Sequence, residues 1–208
     1  MNAIVGLDFD NTLVTYDDLF HRLARERHLI DASVPPVKRH VRDVVRRRAD
    51  GERAWQQLQA DAYGPLMAGA SIIPGVAQFL MACRARNLRV YIISHRTERA
   101  SLDRTGTDLR AAAFAWMQAN GFFDPAGLGL AEDRIFFEST RATKVSRIGE
   151  VGCTHFVDDL EEVFADPDFP PSVERILFSE SIEAAGGLPY SVCRDWPAIE
   201  EAVFHGRR

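Results

Sequence analysis

The sequence predicts an α/β fold: a mostly parallel sheet with helices on both faces, carrying a small all-helical insertion. Three observations predict it. Short apolar runs recur and end in polar residues, as at Ile4-Val5-Gly6-Leu7 before Asp8, Val90-Tyr91-Ile92-Ile93 before Ser94, and His155-Phe156-Val157 before Asp158. Between such runs lie segments of helical period, for example Val76, Phe79, Leu80 and Cys83 at i, i+3, i+4 and i+7. Residues 13–73 show helical character throughout and no strand alternation. Strands alternating with helices imply a parallel sheet covered on both faces.

The elements follow in order. A run of four apolar residues closed by a turn signal reads as a buried strand, which places the first strand at residues 4–7. Leu19, Phe20, Leu23 and Ala24 form one helical face, with Asp17 and Asp18 suited to its first turn. Pro35-Pro36 breaks the pattern, and Val37, Val41, Val44 and Val45 start a second helix. Asp50-Gly51 breaks it again before Trp55, Leu58 and Ala62, and Gly64-Pro65 ends the third helix. After Pro74-Gly75 the α/β rhythm returns. A polar, Arg-rich connection from His95 to about Asp108 precedes a helix marked by Leu109, Ala112, Ala113, Trp116 and Met117, which Asn120-Gly121 stops. Further strands are expected at residues 135–137, 155–157 and 175–178. Lys144, Val145 and Ile148 fall on a short helix, and Trp196, Ile199 and Val203 on a last one. The organisation expected is a core of residues 1–12 and 74–208 with a helical insertion at 13–73.

Composition bounds the function. The chain has 208 residues, 46% hydrophobic and 26% charged, enough for one core domain and a modest insertion. A net charge of -5 gives no global argument for nucleic-acid binding, and nucleic acid is not the expected partner. No apolar run reaches membrane-spanning length, and no basic leader precedes the first apolar run. Cys83, Cys153 and Cys193 form no CxxC pair, which argues against zinc. An odd thiol count without a secretory signal suits reduced cysteines in the cytoplasm.

The polar residues at the strand ends carry the chemistry. Asp8 and Asp10, spaced i, i+2, emerge on one side of a strand, at the carboxyl edge where open α/β sheets bind ligands. Two close carboxylates repel and need a cation, a proton or strong donors. Mg2+ suits them, because it takes hard oxygen ligands and is commonly shared with phosphate. Ser94 ends the second core strand, Asp158-Asp159 follow the fourth, and Lys144 begins the helix between. A parallel sheet brings these carboxyl ends to one edge, an inventory suited to Mg2+-assisted phosphoryl transfer.

These residues give the chain its resemblance to the haloacid dehalogenase (HAD) superfamily, in its phosphatase-like form. Asp8-Phe9-Asp10-Asn11-Thr12 is similar to the first motif, DxDx[TV]; Ser94, Lys144 and Asp158-Asp159 match the second, third and fourth. The resemblance runs from about Asn2 to Leu177. It implies a Rossmann-like core with a helical cap inserted after the first motif. It implies Asp8 as nucleophile, Asp10 as acid and base, Ser94 as a phosphoryl ligand and Lys144 as countercharge. It implies Mg2+ on Asp8, Asp158 and the Asp10 carbonyl, with Asp159 binding or orienting, and Thr12 supporting the loop. Asp10 is missing from the members that cleave carbon–halogen bonds, so its presence points to phosphate esters.

The expected function is Mg2+-dependent hydrolysis of a small-molecule phosphate monoester through an aspartyl-phosphate. A phosphotransferase or phosphomutase using the same intermediate stays open, as does a non-catalytic module binding nucleic acid or protein. Thr12, Ser94, His95 and Arg96 are the candidate substrate ligands, and which of Asp158 and Asp159 meets the metal directly is left open. Arg141 could replace Lys144 in another register. The basic run of Lys38, Arg39, His40, Arg42, Arg46, Arg47 and Arg48 reads first as a solvated face; the sharper reading closes Arg42 or Arg46 over an anionic substrate.

Overall fold

The computed structural model describes residues 3–179 and 189–206. In chain order the elements are β1 (Ile4–Leu7), β2 (Val14–Thr15), α1 (Asp17–Glu26), α2 (Lys38–Arg46), α3 (Gly51–Tyr63), β3 (Ser71–Ile72), α4 (Val76–Ala85), β4 (Arg89–His95), α5 (Leu109–Ala119), β5 (Ile135–Glu138), α6 (Arg141–Glu150), β6 (His155–Asp158), α7 (Glu161–Phe164), β7 (Glu174–Phe178), β8 (Ser191–Cys193) and α8 (Trp196–His205). They form two compact units: residues 1–13, 72–96 and 121–208, and residues 14–71 and 97–120.

The first unit is built on a six-stranded sheet in the order β5-β4-β1-β6-β7-β8. Each neighbouring pair is parallel. β1 is central, with later strands added on both sides of it, so its carboxyl end lies where the strand order reverses. Strand alternation divides the side chains between two faces. Ile4, Ile93, Phe156 and Leu177 join Val145 and Ile148 of α6 and Val163 and Phe164 of α7 in one apolar cluster. Gly6 belongs to this face: a Cβ there would lie 2.5 Å from the Phe156 ring, so β1 and β6 seat that ring only over a glycine. Elsewhere in the unit α4 packs against α8, with Phe79 4.9 Å from Trp196 and 5.6 Å from Phe204. Gly75, with φ of 94°, opens α4; a Cβ there would come within 2.6 Å of Trp196.

The second unit holds α1, α2, α3 and α5. Phe20 stacks on Trp55 at 4.7 Å, and Tyr16 meets Tyr63 edge-on at 4.8 Å. Lys38 Nζ lies 5.4 Å from the Tyr63 ring centre and 5.7 Å from that of Phe20. Asp108 caps α5 by accepting from the Arg110 and Ala111 N–H groups, and Trp116 Nε1 donates to the Ala70 carbonyl at 3.1 Å.

The structure differs from the expected organisation in four places. α5 and its Arg-rich lead, expected in the core, pack with the insertion, because Leu109, Trp116 and Met117 bury against α3 and the 3-10 turn at Met67–Gly69. The insertion is not wholly helical: β2 and β3 pair as a two-stranded ribbon where it begins and ends. The sheet gains β8, beyond the five strands expected. Gly51, expected as a break, instead begins α3; the turn falls on Asp50, whose φ is 57°.

Candidate active site

Asp8 and Asp158 meet because their strands are neighbours in register. Leu7 pairs with Val157, and the Asp8 N–H extends the ladder to the Val157 carbonyl at 2.9 Å. Asp8 is two residues beyond Gly6 and Asp158 two beyond Phe156, so both carboxyls stand on the face that α6 covers. α6 supplies the cation. Thr140 caps the helix, its hydroxyl accepting from the Thr143 N–H while the Thr143 hydroxyl accepts from the Thr140 N–H. One turn in, Lys144 extends along the Phe156 ring and donates to Asp8 Oδ1 and Asp158 Oδ2, each at 2.6 Å. Lys144 is 2% exposed and Asp158 0%.

Burial, which would lower the lysine, is outweighed by the two carboxylates, and its ammonium is held above its ordinary range. Burial pushes Asp8 well up and Asp158 up, against the pull of Lys144; Asp158 and Asp159 raise Asp8 further. One ammonium thus serves two buried carboxylates. Asp158 Oδ1 also accepts from the Leu160 N–H at 3.0 Å, fixing the turn into α7. Asp159 is half-buried and accepts from Asn11 Nδ2 at 3.2 Å.

Asp8, Asp158 and Asp159 each offer a carboxylate oxygen, and these oxygens lie within 4.8 Å of one another. The residues fit Mg2+: the donors are hard oxygens, and two of the three carboxyls are buried with only one ammonium between them. The Asp10 side chain is outside this group.

Asp10 has its own cation. Arg96 Nη1 lies 2.8 Å from both Asp10 Oδ1 and Oδ2. Arg96, expected to meet substrate, is 4% exposed and continues β4 by one residue, its N–H donating to the Glu138 carbonyl at 2.8 Å. The spacing Ser94-x-Arg96 is the signal for it: i, i+2 places both on one side of the strand, and both are buried while His95 is exposed. His95 Nε2 lies 3.1 Å from the Ser139 carbonyl. Ser94 is buried at the end of β4, opposite Phe137 of β5. Thr12 is fully buried, and its hydroxyl has no partner among the described residues. Arg141, the alternative to Lys144, is exposed at the start of α6.

No protein-family model matches the sequence, and no curated protein matches it. Solved structures do match. A haloacid dehalogenase-like hydrolase from Xanthomonas campestris is 16% identical with a TM-score of 0.53, over 97% of this chain and 96% of that one. A HAD family hydrolase from Deinococcus radiodurans, with bound phosphate and sodium, is 14% identical with a TM-score of 0.58, over 99% and 96%. Protein tyrosine kinase A of Mycobacterium tuberculosis is 14% identical with a TM-score of 0.63, over 98% of each chain. A six-stranded parallel sheet with Asp8 at the end of its central strand, matched end to end by these structures, identifies the fold of this chain as that of the haloacid dehalogenase-like hydrolases.

Proposed function

We propose that this protein hydrolyses a small-molecule phosphate monoester, with Asp8 as nucleophile and Mg2+ as cofactor. The observation that carries this reading is the buried contact of Lys144 with Asp8 and Asp158, with Asp159 alongside, at the carboxyl edge of β1 and β6. Asp8, Asp158 and Asp159 would hold the Mg2+, which supplies charge neutralisation for the carboxylates and the phosphoryl oxygens.

An Asp8 carboxylate oxygen attacks phosphorus, and the bond from phosphorus to the ester oxygen breaks. Asp10 gives its proton to that departing oxygen, so the alcohol leaves neutral. Asp10, now a carboxylate, takes a proton from water; the resulting hydroxide attacks the aspartyl-phosphate, and the bond to Asp8 breaks, releasing phosphate. Lys144 stays at Asp8 throughout and keeps a positive charge where the carboxylate turns into an acyl phosphate and back. Ser94, buried at the end of β4, hydrogen-bonds the phosphoryl group, and His95 lies beside it at the strand's exposed end. The chain enters the second unit directly after Leu13 and again after Arg96.

A panel of phosphorylated metabolites assayed for phosphate release with and without Mg2+, with Asp8→Asn as control, tests this. Release that needs Mg2+ and vanishes in Asp8→Asn is the expected result. Activity surviving in Asp8→Asn would overturn the nucleophile. The kinase name of one structural match makes acceptor phosphorylation worth assaying in the same panel; Asp8-dependent transfer to an acceptor without free phosphate would replace hydrolysis by phosphotransfer.

A further inference from the structure

We propose that Arg96 is a positioning residue for Asp10: it braces the carboxylate that serves the leaving group, and it does not itself bind substrate. This rests on the function proposed above and deepens it. Asp10 is a bridge residue just before a turn at residues 11–13. It lies beyond the last residue of β1, and the next residue, Asn11, has a φ of 59°. The turn closes on Phe9, whose carbonyl accepts from the Thr12 and Leu13 N–H groups.

Arg96 Nη1 grips both oxygens of the Asp10 carboxylate at 2.8 Å, and Arg96 is itself fixed. Its N–H is tied to the Glu138 carbonyl at the end of β5, and its guanidinium lies 5.7 Å from the Phe9 ring centre. Phe9 in turn meets Phe137 of β5 edge-on at 5.8 Å. The brace is thus anchored in β4 and β5 and meets a carboxylate carried by the β1 loop.

Exposure separates the two partners. The Arg96 side chain is 3% exposed and that of Asp10 22%. The guanidinium is enclosed, while the carboxylate keeps an open side. A substrate group can reach Asp10 from that side, with Arg96 Nη1 behind it at 2.8 Å from both carboxylate oxygens. Displacing an acid by an ångström costs on the order of 10²-fold in rate, so a brace of this kind acts on the step in which Asp10 gives its proton to the departing oxygen.

The test is a series of phosphate monoesters of graded leaving-group acidity, from 4-nitrophenyl through phenyl to alkyl phosphate, with Mg2+. The readout is kcat/KM, which covers steps up to leaving-group release and omits hydrolysis of the aspartyl-phosphate. Arg96→Met is expected to lose on the order of 10²-fold on the alkyl ester, whose alkoxide needs the proton, and under about threefold on 4-nitrophenyl phosphate, which does not. In the Asp10→Asn background, adding Arg96→Met is expected to change nothing further. A loss equal across the series, or additive with Asp10→Asn, would overturn the assignment in favour of a phosphate ligand or a structural arginine. Arg96→Lys, which keeps the charge, decides the matter if the methionine variant does not fold: a steepened dependence on the leaving group supports the brace, and an unchanged one ends it. Failure of the underlying function is visible earlier, as wild type and Asp8→Asn releasing phosphate equally from every ester.

Discussion

Lys144 Nζ lies 2.6 Å from Asp8 Oδ1, joining residues 136 positions apart inside the first unit. The contact is enclosed: Lys144 is 2% and Asp8 4% exposed. Removing one partner of a buried ion pair strands the other, at a cost of about 3–5 kcal/mol. Lys144→Met is therefore expected to lower unfolding stability by that order in urea titrations at neutral pH without divalent ions. A loss below about 1 kcal/mol, the range of exposed pairs, would show that the lysine is not paired in solution.

The acidic group also predicts how the protein responds to Mg2+ and pH together. Asp8 and Asp158 are both raised above 3.8, the ordinary carboxyl value, with burial the largest cause. Above that pH the unfolded chain has released protons that the folded one still holds. Metal-free stability contributed by these two groups therefore falls as pH rises from 3.8 through their folded values. Mg2+ competes with the same protons, so its stabilisation grows over the same range; at a hundredfold excess over Kd it reaches about 2.7 kcal/mol. Thermal melts across pH with and without Mg2+ check this. An Mg2+ shift that shrinks with rising pH, or survives unchanged in Asp158→Asn, would contradict the site.

Gly6 offers a test of the packing that seats the site. An added Cβ would meet the Phe156 ring at 2.5 Å and Cys153 Sγ at 2.8 Å. Overpacking of this kind costs about 1–3 kcal/mol. Gly6→Ala is expected to lose that much in denaturant titration. Phe156→Leu in the same background should recover part of it, since a smaller side chain vacates the contested space. Non-recovery would place the strain elsewhere.

The three thiols should be silent while the protein is folded. Cys83, Cys153 and Cys193 are free and buried. Burial pushes Cys83 and Cys153 up to about 12 and raises Cys193. At pH 8 a thiol of that kind is ionised to roughly one part in 10⁴, and the thiolate is the reactive form. Iodoacetamide at pH 8 should leave native protein unmodified by mass spectrometry and add three groups in denaturant. Rapid native labelling would show that one of them opens to solvent.

Much of the site was legible in the sequence because each residue ends an apolar run. Asp8, Ser94 and Asp158 stand where a buried strand meets a turn, and parallel strands bring such ends together whatever their order. What escaped depends on facts that periodicity does not carry. Arg96 stands out in the sequence beside Ser94 as a substrate ligand, but its pairing with Asp10 requires β1 and β4 to be neighbours. α5 has an apolar face, but a face does not name the body it packs on; the Trp116 contact with Ala70 assigns it to the second unit. β2 and β3, at two residues each, are too short to show a period. β8, at three residues, carries the same weak signal, and it closes the sheet edge beside β7.

The central place of β1 has a consequence for synthesis on the ribosome. This strand precedes every other described strand, yet both of its partners come later, β4 first and β6 last. Ile4 N–H waits for Thr154 Oγ1, 150 positions downstream. At about 5–20 residues per second, one edge of β1 stays unpaired for on the order of ten seconds while the chain emerges. An apolar strand with an open edge is a template for unwanted pairing. Nascent chains stalled before β6 should therefore be the species most dependent on chaperones, and the nucleophile's strand is the segment those chaperones shield.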